Sequence, residues 1–462
     1  MSSRSPRSTK DSSAPSAPAP RSFHIESLGC AKNQVDSELM IAALQREGWT
    51  LAESPEAAEV LIVNTCGFIS PAKTESIETT LSLKAQFPEK KLIMDGCLTE
   101  RYSAELAHQM PEIDGFLGNK DPRAIVDLVE PGRGRASAAP SEAPEALETS
   151  SDRRMRQLER RRLLSYPGSA YVKVAEGCAN RCTYCAIPLI RGDLASRSIQ
   201  SIREEIQGLL ERGVKELVFI AQDLGSFGTD RGGPQLADLL RETASRPEEF
   251  WVRLLYIHPD KFPREILDIM ASDQRFLPYF DLPFQHAAPE ILRAMGRKPD
   301  AAANLGLLEE IRARLPQAVI RSTFLVGFPG ETDKDFELLL EFQEKAQFSW
   351  LGAFTYSREE GTPAYSLKDA VTRKVAEARM HEIEQRQVLV TAAALDRQVG
   401  KTLRVLVEEK VEGEDLSIGR AFLHAPEVDG LVVVRRSLPP GQWARARMVR
   451  RNGVDLEAEA VP

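Results

Sequence analysis

Apolar residues recur along this chain with two periods, and the places where the period changes divide it into blocks. Between residues 23 and 130, three short β-type runs, FHIESLGC, VLIVNTC and KLIMDGC, each end on a cysteine. Stretches with helical spacing, such as SELMIAALQREG, lie between them. Strand–helix alternation of this kind predicts a three-layer α/β domain with a parallel sheet. From 166 to 397 the chain repeats strand-then-helix through AYVKVAEGC, ELVFIAQD, WVRLLYI, YFDLPFQ, VIRSTFLVGFP and WLGAFTYS, and ends the block on one long helical stretch. Consecutive βα units predict an open, partial (βα)6 TIM-like barrel whose site lies at the C-terminal ends of the strands. Residues 398–462 alternate with period two in short runs separated by Gly, Asp and Pro, the pattern of a small all-β, OB-like barrel.

Composition sharpens the boundaries. Residues 1–22 are rich in Ser, Pro, Ala and Arg and contain no Leu, Ile, Val or Phe. They read as a disordered tail, with neither a signal-peptide core nor an amphipathic transit helix. Residues 131–165 begin with linker composition and continue into Arg153, Arg154, Arg156, Arg160, Arg161 and Arg162. Such a run is either a solvated helix face or a contact surface for a substrate or partner. No apolar run approaches the ~20 residues of a membrane span, so the expectation is a cytoplasmic protein with no membrane partner, acting as a monomer. With 60 Lys and Arg against 68 Asp and Glu, the net charge of −8 argues against a chain held on nucleic acid by a general positive field.

The cysteines carry the first chemical signal. There are 6, at positions 30, 66, 97, 178, 182 and 185. A disulfide scaffold would be smaller and denser in cysteine, so these point to metal or redox chemistry. In a parallel sheet the loops leaving the carboxyl ends of the strands share one edge, which brings Cys30, Cys66 and Cys97 together. At the barrel mouth the same reasoning gathers Cys178, Gln222 with Asp223, His258, Gln285 with His286, and Gly327 to Glu331. The two histidines read as structural.

Cys178-Ala-Asn-Arg-Cys182-Thr-Tyr184-Cys185 is a C-x3-C-x2-C triplet. Three thiolates can hold three irons of a [4Fe–4S] cube and leave the fourth open, whereas structural zinc would want a fourth ligand. With Tyr184 before its last cysteine, the triplet resembles that of the radical S-adenosylmethionine (SAM) superfamily. That resemblance implies a cluster whose open iron chelates SAM and cleaves it to a 5′-deoxyadenosyl radical. It also implies SAM contacts from Gly327, Pro329, Gly330 and Glu331 after the fifth strand, and from Gln222 and Asp223 after the second.

A three-cysteine α/β domain, a radical-SAM barrel and a small β-barrel, in that order, resemble the methylthiotransferase family, whose last domain is a TRAM module. The resemblance covers essentially the whole chain after residue 22. It implies a second [4Fe–4S] cluster on Cys30, Cys66 and Cys97, and insertion of sulfur and a methyl group into a C–H bond. The wording of Leu28-Gly29-Cys30-Ala-Lys-Asn-Gln-Val-Asp-Ser-Glu38, Asn64-Thr-Cys66-Gly-Phe-Ile69, Ala175-Glu176-Gly177-Cys178, Arg191-Gly-Asp-Leu-Ala-Ser-Arg197, Pro283-Phe-Gln-His286 and Ala425-Pro-Glu-Val-Asp-Gly430 resembles the ribosomal-protein branch, the RimO type. What this implies is methylthiolation of the β-carbon of an aspartate in small-subunit ribosomal protein twelve. Residues 400–462 carry ten Lys or Arg and ten Asp or Glu, a balance that suits a basic protein substrate better than stable nucleic-acid binding. Two alternatives stand beside this: the same chemistry on a tRNA adenosine, and a zinc-stabilised RNA- or ribosome-binding protein. The electron donor and the sulfur source are left open.

Overall fold

The computed structural model describes residues 21–130, 159–298 and 300–461. Residues 1–20 of the tail, the linker composition of 131–152, and Arg153, Arg154 and Arg156 lie outside them. In the first block the sheet has five parallel strands, not the three the pattern predicts. They are β1 (Ser22–Ser27), β2 (Thr50–Leu51), β3 (Val60–Thr65), β4 (Lys91–Gly96) and β5 (Gly115–Gly118), in the order β2-β1-β3-β4-β5. The two additional strands are edges. β2 is two residues long, and β5 is bounded by glycines, so neither carries an alternating pattern. β3 is buried on both faces because helices cover both sides of a parallel sheet.

The second block keeps its six expected strands and adds a ribbon. β6 (Ser169–Lys173) gives way to β7 (Ala175–Glu176), which pairs antiparallel with β8 (Ala195–Ser196). The run AYVKVAEGC is therefore two strands, and the cysteine loop hangs from the second. The other strands are β9 (Glu216–Ile220), β10 (Trp251–Leu254), β11 (Phe276–Asp281), β12 (Val319–Val326) and β13 (Trp350–Thr355). The open parallel sheet runs β13-β12-β11-β10-β9-β6. Its outer residues, among them Val172, Phe219, Leu254 and Phe324, pack against the surrounding helices. Its inner residues, including Tyr171, Val218 and Tyr279, pack with Val35 and Leu39 of the first block and with Leu423, Val432 and Leu456 of the last. One core thus draws on all three blocks.

The last block is a closed barrel of β14 (Thr402–Lys410), β15 (Ser417–Arg420), β16 (Val432–Val434), β17 (Trp443–Asn452) and β18 (Asp455–Val461). The connection from β15 to β16 reaches the inner face of the open barrel. There Asp429 accepts from Tyr279 Oη at 2.6 Å and Arg321 Nη1 at 2.9 Å, and the Leu423 carbonyl accepts from Trp350 Nε1 at 2.8 Å. Glu216 is buried between Arg253 Nε at 2.7 Å and Arg420 Nη2 at 2.5 Å. Burial works against that carboxylate, but the two guanidiniums outweigh it and hold Glu216 down to about 2.

Of the arginine run, Arg160 departs from both readings made of it. Residues 159–162 are not helical, and Arg160 is buried, bonded to Glu38, to Glu205 and to the Tyr171 carbonyl at 2.8 Å. It ties the first block to the barrel and is neither a solvated face nor a docking surface. Arg161 remains exposed beside Glu159. Among the described residues, no helix is long and apolar enough to cross a membrane.

Candidate active site

Cys30, Cys66 and Cys97 leave the carboxyl ends of β1, β3 and β4, along one sheet edge. Cys30 caps the helix Ala31–Arg46 without a side-chain capping bond, and Cys97 opens the helix Cys97–Gln109. Asn33 stands among them. Its Nδ2 donates to the Leu28 carbonyl at 3.1 Å and the Thr65 carbonyl at 2.9 Å, and its Oδ1 lies 3.3 Å from Cys97 Sγ. Gly29 has φ +92°, and a Cβ there would come within 2.9 Å of Cys66 Cβ and 3.2 Å of its sulfur. The missing side chain is what lets the first loop close on the second. Burial pushes the Cys66 thiol up to about 12, and the nearby Cys30 and Cys97 add to the effect.

The second triplet lies on the loop between β7 and the short helix Ile187–Arg191. The Cys178 amide donates to the Gly192 carbonyl at 3.2 Å, and Cys182 Sγ lies 3.9 Å from His258 Nε2. The loop is pinned from the barrel side. Thr183 donates through N to the Met295 carbonyl at 3.0 Å and through Oγ1 to the Ala294 carbonyl at 2.6 Å, and Arg297 Nε donates to Tyr184 Oη at 3.2 Å. Burial pushes Cys185 up to about 12 and His258 down to about 3. Neutral thiols give up their protons when they ligate metal.

Both triplets fit an iron–sulfur cluster by the chemistry of their donors: three sulfurs each, with a glycine-made hollow at the first. Among the described residues, no group of three or more His, Cys, Asp or Glu side chains has the geometry of a site for one metal ion. A cube places its thiolates on separate irons and takes a wider spread.

The other expected positions fall into two groups. Gln222 and Asp223 lie beside the cysteine loop. Gln222 donates to Glu176 Oε1 at 3.0 Å, and among the described residues its own buried Oε1 has no partner. Asp223 is fully occupied within the protein, accepting from Asn180 Nδ2 at 2.8 Å, Ser226 Oγ at 2.5 Å and the amides of Gly225 and His258 at 3.1 and 3.0 Å. It positions the loop. The stretch after β12 is turned mostly to other business. A Cβ on Gly327 would lie 2.5 Å from Ala376 Cβ, so that glycine admits the helix Arg373–Asp396. Glu331 accepts from Arg379 Nη1 at 2.8 Å and from the Phe328 amide at 3.1 Å. Pro329 lines a cleft of about 790 Å³ that also takes Ile69, Ser70 and Tyr356, and Gly330 has open space around it. Phe328 reaches the loop through a cluster with Met295 and Tyr184. His286 is buried and accepts from the Ala288 amide at 3.0 Å, while its Nε2 lies 4.0 Å from Glu331.

Sequence reasoning did not single out the charges between the triplets. Arg191 Nη1 bonds Asp36 Oδ2 at 2.7 Å and Glu176 Oε1 at 3.0 Å, while its Nη2 bonds Asn33 Oδ1 at 2.7 Å and Cys97 Sγ at 3.2 Å. Lys173 Nζ bonds Asp36 Oδ1 at 2.5 Å and Glu176 Oε2 at 2.7 Å. Burial opposes the Glu176 carboxylate, yet these two cations hold it well below the usual range. Arg191 and Glu176 stand in stretches whose wording was distinctive, but nothing in that wording announced the pairing.

A six-stranded open barrel with a C-x3-C-x2-C loop at its mouth, flanked by a second three-cysteine domain, defines a radical SAM enzyme of composite architecture. Family models agree block by block: uncharacterized protein family UPF0004 over residues 22–118, the radical SAM superfamily over 172–342 and the TRAM domain over 399–461. The chain is 42% identical to ribosomal protein uS12 methylthiotransferase RimO of Treponema denticola, over 94% of this chain and 99% of the relative. It is 43% identical to the protein of the same name from Heliobacterium modesticaldum, over 95% of each. The radical SAM methyltransferase TsrM of Kitasatospora setae shares the fold with a TM-score of 0.54 over 75% of this chain and 77% of that one, at 16% identity. The chain belongs to the RimO family of radical SAM methylthiotransferases. Membership of the superfamily brings with it SAM and a [4Fe–4S] cluster.

Proposed function

We propose that this enzyme replaces a hydrogen on the β-carbon of an aspartate of ribosomal protein uS12 with a methylthio group. In this reading Cys178, Cys182 and Cys185 hold the cluster that binds SAM, and Cys30, Cys66 and Cys97 hold a second one. When bound, the two clusters and SAM supply the hydrogen-abstracting radical and the sulfur. The chain's own part is placement. Asp223, Thr183 and Arg297 hold the barrel loop, Gly29 and Asn33 shape the first hollow, and the buried Oε1 of Gln222 is free to accept from a SAM ammonium.

The observation that carries the reading is how near the triplets stand. Cys97 packs on Ala186 and Ile190, and Arg191 at the end of that helix donates to Cys97. Cys185 lies immediately before Ala186, and the helix that follows is only five residues long, about one and a half turns or ~8 Å at 1.5 Å per residue, so Cys97 meets the second triplet's loop along that short span. Radical formation and sulfur transfer are then both within reach of one substrate carbon.

A protein substrate is favoured over tRNA by the last barrel. Three of its outward arginines meet cross-strand carboxylates: Arg447 with Glu459 at 2.8 Å, and Arg450 and Arg435 with Glu457 at 2.6 and 2.9 Å. Such pairs cancel the positive field that a phosphate backbone would need. Deleting the gene and examining both substrates by mass spectrometry tests the proposal. The uS12 aspartate should lose its methylthio group while tRNA methylthioadenosine remains; loss from tRNA alone would refute the choice of substrate.

A further inference from the structure

Nearly all the charge buried between the first block and the barrel mouth is matched. Arg191 and Lys173 face Asp36 and Glu176, and Arg321 faces Asp429. Arg297, which has no carboxylate so near, donates instead to Tyr184 Oη and the Pro283 carbonyl. Lys32 is different. It occupies the second position of the helix Ala31–Arg46 and is only 8% exposed. Among the described residues its ammonium has neither a hydrogen bond nor a carboxylate within 4.0 Å, and it lies 3.3 Å from the centroid of the Tyr256 ring. A ring face offsets only part of the cost of burying an ammonium.

Its position is as telling as its isolation. Lys32 is two residues from Cys30. Tyr256, beneath it, is two residues from His258, whose Nε2 approaches Cys182 Sγ at 3.9 Å. The ammonium therefore stands between the two triplets. Tyr256 is held there at φ +64°, a left-handed conformation that bulky side chains adopt only under constraint. Two carboxylates, Asp281 and Glu176, act on Lys32 from farther off, and both are already engaged: Asp281 by the Tyr256 amide at 3.3 Å and by Arg321 at 3.9 Å, and Glu176 by Lys173 and Arg191. The helix N-terminus is open on the same side, with no side-chain cap from Cys30 and no acidic residue in its first turn, so its dipole also favours an anion.

We propose that Lys32 receives the side-chain carboxylate of the substrate aspartate and so sets the enzyme's choice of aspartate over its neutral isostere. The inference rests on the function proposed above. The reacting β-carbon is bonded directly to that carboxyl carbon. A charge-assisted bond from Lys32 would fix it between the site of hydrogen abstraction and the site of sulfur delivery. An asparagine would turn an amide toward an ammonium and leave the buried cation unpaired.

The test uses the full chain with its clusters reconstituted and two fluorescent peptides copying the modified uS12 segment, one with Asp and one with Asn at the target. Kd is measured for each by anisotropy, and product by mass spectrometry. Wild type should prefer the Asp peptide by about tenfold or more, the size of one charge-assisted hydrogen bond. Lys32→Met, with iron content and melting temperature as controls of its fold, should bring the ratio of the two Kd values close to one, and Lys32→Arg should restore most of it. A Lys32→Met chain that holds its iron and keeps the wild-type preference overturns the inference. So does one in which only the KM for SAM rises, which would place SAM's carboxylate on Lys32. If wild type leaves the Asp peptide unmodified, the functional reading itself falls and takes this inference with it.

Discussion

Replacing Arg191 with methionine tests how the two domains are held together. Arg191 and Lys173 carry two positive charges against the two negative charges of Asp36 and Glu176, all buried. With Arg191→Met, one ammonium is left to face two carboxylates, and Asn33 and Cys97 also lose a donor. Removing one member of a buried ionic group costs about 3–5 kcal/mol, because a charge is left without compensation. Asp36→Asn leaves the opposite imbalance, two cations on Glu176, and should cost a similar amount. Combining the two leaves Lys173 paired with Glu176 and neutrality restored. Chemical denaturation of the four chains should then give a double variant less destabilised than the sum of the singles by about 1–3 kcal/mol. Additivity within about 0.5 kcal/mol would mean that the four groups do not act as a unit, and the reasoning would fail. Arg191→Lys should fall between, since a point charge cannot span the separate acceptors that a guanidinium fork reaches.

Three further outcomes are expected. Alanine at Cys178, Cys182 or Cys185 should abolish 5′-deoxyadenosine formation, whereas alanine at Cys30, Cys66 and Cys97 together should leave reductive SAM cleavage in place and eliminate methylthio product; product at wild-type rate from the latter would remove the first domain from sulfur insertion. Gly29→Ala forces a left-handed alanine, at about 1–2 kcal/mol, and sets its Cβ 2.9 Å from Cys66 Cβ. Reconstituted iron should drop by one cluster's worth, and full iron would contradict the hollow described. Glu216 has a depressed folded pKa, so the stability it contributes is complete above its ordinary value near 4.5 and is lost as pH falls through about 2. Glu216→Gln should flatten the stability–pH curve across that window, and an unchanged slope would show that the carboxylate is not held by Arg253 and Arg420.

Fold legibility in the sequence followed the strength of the local signal. The long alternating run that became β12 was plain, because each face of that strand meets a different environment. β2, β5 and the β7–β8 ribbon were not, because segments of two to four residues have no period to read. The same contrast holds at the site. Convergence of Cys30, Cys66 and Cys97 follows from parallel topology alone, and the spacing of Cys178, Cys182 and Cys185 is local. Lys32 and Arg191 were silent because their meaning lies in distant partners, Tyr256 for the one and Asp36 and Asn33 for the other, all more than a hundred residues away, and Arg160 looked like surface charge until Glu38 and Glu205 closed on it. Gly327 adds a packing role that the sequence did not show: the close approach its missing side chain permits is that of Ala376.

The core shared by all three blocks has a bearing on how the protein is made. Val35 and Leu39 leave the ribosome early, Tyr171 to Tyr279 in mid-synthesis, and Leu423 to Ala458 last, yet all belong to one packed cluster. At about 5–20 residues per second, the inner face of the open barrel stays bare for roughly 5–20 seconds after β13 has emerged. During that interval Arg253, Arg321 and Trp350 have no Phe422, Asp429 or Leu423 to meet. A nascent chain in this condition is a natural client for a chaperone, and a message truncated before the last block would leave the inner face of the open barrel without the residues that cover it.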